Sequence, residues 1–356
     1  MELPRTRRFI KTCFITVGCI MLIVFSYTHL SLHQVKEIAL FVETGDLYCY
    51  EKHAPSLPVI TKAKFDKPSI FFLETTCRSD RAGRIILNAR QACSVESAAK
   101  ANPNTVVNLL YLSPGLIGDT NIEPDRIMKA VLSYDNVFLY RINIEEYVSN
   151  TPVEQLFKNG ELKKSLYQTV HASDILRMLT LWKYGGMYLD LDIIVMKSLE
   201  KMDTNFVVPQ TVNEMANGAM AFSIHGSGHK YAEYCLYNIV KNYNGETWAG
   251  NGPDVVKRMT DAVCRRPTVF GNLTHCKDLT IYPPKTFYAI YYTSWQKFFN
   301  INYTRFVDNE IKDSKGVHFW NKLSAHLELS LDSNAPYLNL ARKYCPKVIK
   351  QLDTVF

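Results

Sequence analysis

Beyond residue 68 the chain alternates short apolar runs with longer amphipathic ones. SIFFLE (Ser69–Glu74), TVVNLLYL (Thr105–Leu112) and NVFLYRIN (Asn136–Asn143) have the length and composition of strands buried on both faces. Between them, ACSVESAAKANP reads as a helix stopped near Pro103, and PDRIMKAVL as a second helix. HASDILRMLTLWKYGG follows, with Ile175, Met178, Leu179 and Trp182 on one broad helical face and a stop at Gly185 and Gly186. MYLDLDIIV then reads as one more strand. Strands that alternate with helices predict an α/β fold whose mostly parallel sheet is covered on both faces. No G-x-G-x-x-G follows the first strand, so the dinucleotide-binding fingerprint is missing. No internal repeat and no low-complexity tract interrupts the pattern.

The pattern near the start is different. CFITVGCIMLIVFSYTHL, Cys13 to Leu30, runs 18 positions without a formal charge. As a helix it would span about 27 Å at about 1.5 Å per residue, close to the hydrocarbon thickness of a bilayer. Arg5, Arg7, Arg8 and Lys11 precede it and predict a cytosolic N-terminus. We therefore expect a cytosolic tail (1–11), a transmembrane signal anchor (12–30), a lumenal stem (31–67) punctuated by Pro55 and Pro58, and one globular domain (68–356). A cleavable signal peptide is the competing reading; the long apolar core and the lack of a small-x-small site speak against it.

Composition narrows the class without choosing a function. With 356 residues, 47% of them hydrophobic and 12% aromatic, the chain can bury a large core. The net charge of +7 is partly held in the basic cluster at the start, and no basic stripe with interleaved aromatics suggests nucleic acid. Seven cysteines lie beyond the expected anchor, none in a CxxC pair that would suggest zinc. Cys264 with Cys276, and Cys77 with Cys93, are candidate disulfides, and an odd count leaves at least one thiol over. Asn272 in NLT and Asn302 in NYT are glycosylation sequons, which count only in a lumenal chain.

The chemistry concentrates in Gly185 to Val195, where two aspartates interrupt an apolar run. In a strand, residues two apart face the same way, so Asp190 and Asp192 would project together, with Leu189 and Leu191 packed behind them. Two carboxylates side by side repel and need a shared proton or a cation. Oxygen ligands suit Mg²⁺ or Mn²⁺, ions that commonly bridge carboxylates to phosphate oxygens. Asp174 and Arg177 stand three apart on the preceding helix and could face the same cleft, although a plain surface ion pair has the same spacing. A D-x-D at the carboxyl end of a central strand, where open α/β sheets bind ligands, points to a metal clamp for a diphosphate.

The run ASDILRMLTLWKYGGMYLDLDIIVMKSL closely resembles the DXD-containing sugar-binding region of the lactosylceramide 4-alpha-galactosyltransferase and alpha-1,4-N-acetylglucosaminyltransferase family, especially its glycolipid alpha-1,4-galactosyltransferases and their insect counterparts. FFLET, CSVESAAK, NGAMAF, NGPDVV, TIYPPKTFYAI and VHFWNK extend the likeness in order over nearly the whole globular part. The resemblance implies a GT-A-type nucleotide-sugar-binding fold and a retaining alpha-1,4-glycosyltransferase using Mn²⁺ or Mg²⁺. It implies UDP-galactose or UDP-N-acetylgalactosamine as donor, a glycosphingolipid acceptor, and residence as a single-pass type II protein of the Golgi membrane. An alpha-1,4-N-acetylglucosaminyltransferase acting on glycoprotein glycans is the alternative. It leaves room for a homo-oligomer or a complex with other glycosyltransferases.

By the same resemblance Asp192 ligates the metal, Asp190 contacts the donor and assists at the metal, and His318 in VHFWNK completes the coordination. Asp174, Arg177 and Tyr188 fall on the donor side. Asn217, Gly218, Asn251, Gly252, Asp254 and Trp320 become acceptor or sugar contacts. Without it, N-G at Asn217 and Gly218 reads as a turn, and Asn251 to Asp254 as a helix start. Trp320 could equally be core. The relative compared most closely carries glutamine near Asp254, which sets aside a fixed catalytic role there. No nucleophile for a double displacement stands out. A haloacid-dehalogenase-type phosphotransferase would place Thr or Val where Ile194 stands, and an anchored lectin would bind sugar but not UDP.

Overall fold

The structure is a computed structural model that describes residues 47–265 and 270–356. The expected tail, the anchor and the first part of the stem lie outside the described residues. Among the described residues no helix is long and apolar enough to cross a membrane. Parts of the rest of the expected stem pack onto the domain: Leu47, Cys49, Tyr50, Leu57 and Ile60 are buried while residues 51–55 are exposed, and the Tyr50 hydroxyl donates to the Thr75 carbonyl at 2.7 Å.

Among the described residues ten strands are formed: β1 Ser69–Glu74, β2 Val106–Tyr111, β3 Val137–Arg141, β4 Gly186–Leu189, β5 Ile193–Val195, β6 Phe206–Pro209, β7 Met215–Phe222, β8 Thr274–Cys276, β9 Leu279–Ile281 and β10 Gly316–His318. The α-helices of at least eight residues are α1 Ala89–Ala101, α2 Glu123–Leu132, α3 Gln168–Tyr184, α4 Gly226–Asn242, α5 Pro253–Cys264, α6 Thr304–Ile311 and α7 Pro336–Tyr344. Eight strands make one sheet in the order β3-β2-β1-β4-β7-β6-β9-β8, and β5 pairs with β10 in a second, two-stranded sheet. β1 to β4 are mutually parallel, β6 and β9 run the same way, and β7 and β8 run against them. The α/β expectation holds, with the sheet mixed in its second half.

Both faces of the sheet are covered, as the unbroken apolar runs require. Ile70 and Phe72 of β1 pack into one core with α1, α2, α7 and the small sheet, while Phe71 and Leu73 pack into the other with α3, α4 and α5. The order β2-β1-β4 reverses direction at β1, so the crevice beyond the carboxyl ends of β1 and β4 is the switch point where ligands bind open sheets.

One predicted strand is two. MYLDLDIIV forms β4 up to Leu189, turns at Asp190 to Asp192, and resumes as β5 in the other sheet. Asp190 N–H donates to Gly218 O at 2.8 Å and Ile193 N–H to Asp190 O at 3.1 Å, so the aspartates occupy a tight turn. Leu189 is fully buried, and Leu191 only half so. The physical reason is solvation: a turn leaves carboxylates at the cleft mouth, whereas a continuous strand would carry them into the core.

Three disulfides form among the described residues: Cys49–Cys77, Cys93–Cys345 and Cys264–Cys276. The third is the expected pair. Cys77 with Cys93 is corrected, because Cys77 follows β1 at one end of the molecule while Cys93 lies inside α1 facing the C-terminal helices. Among the described residues Cys235 is the free thiol, and it is buried.

Candidate functional site

The site begins with α3, which is buried around almost its whole circumference, Asp174 and Arg177 included. Charges so placed must be paired. Arg177 Nη2 lies 3.5 Å from Asp174 Oδ1, and Nη1 donates to Asp190 Oδ1 at 2.9 Å and to Asn217 O at 3.0 Å. The guanidinium also sits 4.6 Å over the Tyr188 ring. Two glycines turn the chain from this helix into β4. A Cβ on Gly185 would come within 2.5 Å of Ile224 N, and one on Gly186 within 2.6 Å of Ser69 O, at backbone φ of +63° and +91°. The link between α3 and β4 thus lies too close to Ile224 on one side and to β1 on the other for any side chain.

At the turn the two carboxylates converge with a histidine from β10. His318 Nε2 is 3.1 Å from Asp192 Oδ1 and 3.7 Å from Asp190 Oδ2, and ligand atoms of all three residues lie within 4.8 Å of one another. Each is held from behind. Tyr188 donates its hydroxyl to Asp190 Oδ1 at 2.8 Å, and Asn321 N–H donates to Asp192 Oδ2 at 3.0 Å. Trp320 N–H donates to His318 Nδ1 at 3.3 Å. The carboxylate side chains keep 25% and 18% of their surface, so the cluster is open on one side to a ligand.

The electrostatics divide the pair. Burial alone would raise Asp190, but Arg177 and His318 outweigh it and hold its carboxyl well below the ordinary carboxylate range. Burial raises Asp192, helped by the Asp190 charge and opposed by His318. Burial pulls the His318 imidazolium down, yet Asp192 and Asp190 outweigh it and leave the ring more basic than usual. Asp174 is raised by burial against the pull of Arg177 and Asn217. Hard carboxylate oxygens plus one imidazole nitrogen fit a divalent ion of the Mn²⁺ kind better than Mg²⁺, which takes oxygen almost alone. The residues therefore suit the ion the sequence suggested.

Most of the other sequence candidates gather around this cluster. Asn217 and Gly218 lie inside β7, not in a turn. Asn217 Nδ2 donates to Asp174 Oδ1 at 2.7 Å, and a Cβ on Gly218 would strike Asp190 Oδ2 at 2.3 Å. Gly252 abuts Asn217 and Asp174, where a Cβ would sit 2.4 Å from Asn217 Nδ2. Asn251 is buried and ties its own loop by donating to Asn244 O at 2.7 Å. Asp254 is exposed in the first turn of α5, which does begin where expected. Tyr188 is 1% exposed behind Asp190, so it reaches any ligand only through that carboxylate. Trp320 stands 4.2 Å from the His318 ring at φ +55°, with Tyr291 and Tyr292 beside it. Asn272 and Asn302 are exposed.

Sequence reasoning missed Tyr288 and Asn321. Tyr288 lies 5.2 Å from the His318 ring, and its hydroxyl is close to the place a Gly218 side chain would fill. It sits in TIYPPKTFYAI and Asn321 in VHFWNK, but nothing in either spacing marks the single residue that turns inward.

Residues 88–211 match the glycosyltransferase sugar-binding region containing the DXD motif, and residues 224–352 the alpha 1,4-glycosyltransferase conserved region. Lactosylceramide 4-alpha-galactosyltransferase of Mus musculus is 33% identical over 294 residues, 82% of this chain and 78% of that protein. The Homo sapiens enzyme of the same name is 30% identical over 279 residues, 78% of this chain and 75% of its own. Alpha-1,4-N-acetylglucosaminyltransferase of Homo sapiens is 28% identical over 289 residues, 80% of each chain. A galactosyltransferase solved with donor and acceptor sugar analogues aligns over 81% of this chain and 97% of its own at 13% identity and a TM-score of 0.37, too loose a likeness to argue from.

Proposed function

Since the chain belongs to the DXD-containing alpha-1,4-glycosyltransferase family and is a hexosyltransferase, we propose that it transfers galactose or N-acetylgalactosamine from a UDP-sugar to a glycosphingolipid. The bond made is alpha-1,4 to the terminal sugar, with the donor's configuration retained. The observation that carries this reading is the convergence of Asp190, Asp192 and His318 on one point at the sheet's switch. The relatives at 30% identity and above are named for lactosylceramide, which favours a glycolipid acceptor. The N-acetylglucosaminyltransferase at 28% supports the second reading, transfer of N-acetylglucosamine to glycoprotein glycans.

In this reading Asp190, Asp192 and His318 hold Mn²⁺, which when bound offsets the charge that builds on UDP as the glycosidic bond breaks. This chain's own residues do the positioning. Arg177 and Tyr188 fix one Asp190 oxygen and leave the other toward His318, and Asn321 N–H fixes Asp192 in the same way. Asp174, aligned by Asn217, faces the donor sugar side, and Gly218 and Gly252 keep that side free of side chains. The three carboxylates are all engaged, so none is left as nucleophile. The displacement is then front-face, with an oxygen of the departing UDP taking the acceptor's proton. Trp320, Tyr291 and Tyr292 form an aromatic ledge next to His318 that suits the apolar face of an acceptor sugar.

Three disulfides fit an oxidising compartment, and the basic cluster before the apolar run fits a type II Golgi membrane protein. The test is to incubate the full-length protein with UDP-galactose, UDP-N-acetylgalactosamine and UDP-N-acetylglucosamine against glycolipids and glycoprotein glycans, read by mass spectrometry. A hexose or N-acetylgalactosamine added to a glycolipid supports the proposal. N-acetylglucosamine on a glycoprotein glycan selects the second reading, and no transfer from any donor overturns both.

A further inference from the structure

At the opposite end of the sheet from the aspartate cluster, the amino ends of β1, β2 and β3 border an open groove of about 680 Å³. Its floor includes Asn108, at the centre of β2 and in register with Phe71 of β1 and Phe138 of β3. Asn108 is 0% exposed, and neither its amide nitrogen nor its amide oxygen meets a hydrogen-bond partner among the described residues. A buried amide left so destabilises the fold, and an apolar residue would serve the strand better. Residues that break the local rule in this way mark functional positions more often than others do.

The walls and rim indicate what the groove accommodates. Phe138 on the same face keeps 43% of its surface exposed. Phe65 comes from the segment leading into β1 and packs edge-on against Phe71 at 5.5 Å and Tyr140 at 6.1 Å. It also packs edge-on against Tyr184 at 5.0 Å and is only half-buried, and a ligand reaches the fully buried Asn108 only if this ring shifts. Lys64, Lys67 and Lys100 on the rim outnumber Asp66 and Asp135. One edge of an asparagine amide offers an acceptor beside a donor in a plane, the complement of a base edge that carries a donor beside an acceptor. Bases stack on aromatic faces, and Phe65 and Phe138 both line the groove. The lysines then stand where a phosphate would trail.

We propose that this groove is a second ligand site, separate from the aspartate cluster, for a nucleoside phosphate whose base pairs with Asn108 between Phe65 and Phe138 while its phosphate meets Lys64 and Lys67. The site does not depend on which sugar the enzyme transfers.

The test uses the full-length protein without divalent ions, with AMP, UMP and ribose 5-phosphate as probes in equilibrium dialysis and saturation-transfer NMR. AMP or UMP should bind, with saturation on the base protons, equally well to the native protein and to Asp192→Asn. Asn108→Val should weaken that binding at least tenfold while leaving the melting temperature unchanged or higher. Lys64→Ala with Lys67→Ala, both on the surface, should weaken it and flatten its salt dependence. Ribose 5-phosphate bound as tightly as AMP, AMP binding that survives Asn108→Val, AMP binding lost in Asp192→Asn, or no AMP binding at all would each overturn the proposal, UMP retained in Asn108→Val being read as occupancy of the donor site. Should Asn108→Val fail to fold, the lysine pair decides the matter, and unchanged nucleotide binding there is equally fatal.

Discussion

Arg177 shows how far burial changes what a residue is expected to do. From sequence it is a donor contact, so its loss should weaken donor use more than stability. In the structure its guanidinium is buried against Asp174, Asp190 and the Tyr188 ring. Breaking such a pair from one side leaves uncompensated buried carboxylates and costs about 3–5 kcal/mol. Arg177→Ala should therefore lower both activity and the urea midpoint, and Mn²⁺ should restore part of the midpoint by supplying positive charge beside Asp190. Asp192→Asn behaves differently. It removes a carboxylate that burial and Asp190 already disfavour, so above the folded pKa of His318 the metal-free variant should melt no lower than the native protein, while below it, where the imidazolium loses its main partner, it should melt lower. It should lose the Mn²⁺-dependent rise in stability, about 2.7 kcal/mol at a hundredfold excess over Kd in the native chain, and with it transfer.

His318 sets the pH dependence. Its imidazolium is favoured in the folded, metal-free protein, so its pKa lies above the ordinary 6.5. The stabilisation it brings is complete below the unfolded value and fades as pH rises through the folded one. A metal ion must displace that proton, so Mn²⁺ affinity should climb across the same window, with no such climb in His318→Gln. Titration calorimetry at several pH values checks this. Asp190 and Asp192 stood out because carboxylates are rare in apolar runs, whereas His318 was reached only through the family resemblance; the structure brings the three together. Tyr288 did not stand out, because an aromatic in an apolar stretch is ordinary core.

At the scale of elements, the sequence pattern located β1 to β3, α1 to α3 and the start of α5 closely. It failed at MYLDLDIIV, where period-two alternation cannot distinguish one strand from two strands joined by a turn. The same limit hid Asn217 and Gly218 in β7, since N-G is a turn signal unless a neighbour demands the missing side chain. That demand is testable. Gly218→Ala would press its methyl against Asp190 Oδ2, so Mn²⁺ binding and transfer should fall sharply while melting changes little. Gly186→Ala meets backbone at Ser69 O and holds φ +91°, so it should cost about 1–3 kcal/mol of stability. Thermal melts and metal titrations on the two variants separate the effects.

Across the whole molecule, the fold class was readable because strands buried on both faces leave continuous apolar runs, and the family because its motifs keep their order. Disulfide pairing was not, since pairing depends on which ends the topology joins. Cys93 in α1 meets Cys345 across a separation of 252 residues, while Cys264 and Cys276 are 12 apart. Closing the longer loop removes more freedom from the unfolded chain, so Cys345→Ala should cost about 2–5 kcal/mol and more than Cys276→Ala. Urea unfolding of each variant under oxidising conditions decides it.

The central claim is that Asp190, Asp192 and His318 serve a metal-dependent hexosyl transfer. The most direct measurement supplies UDP-galactose, lactosylceramide and Mn²⁺ to the full-length protein and reads the product linkage by NMR. Our account predicts an alpha-1,4-linked hexose, absent with chelator and absent in Asp192→Asn. Transfer that persists in that variant with the chelator present would contradict it.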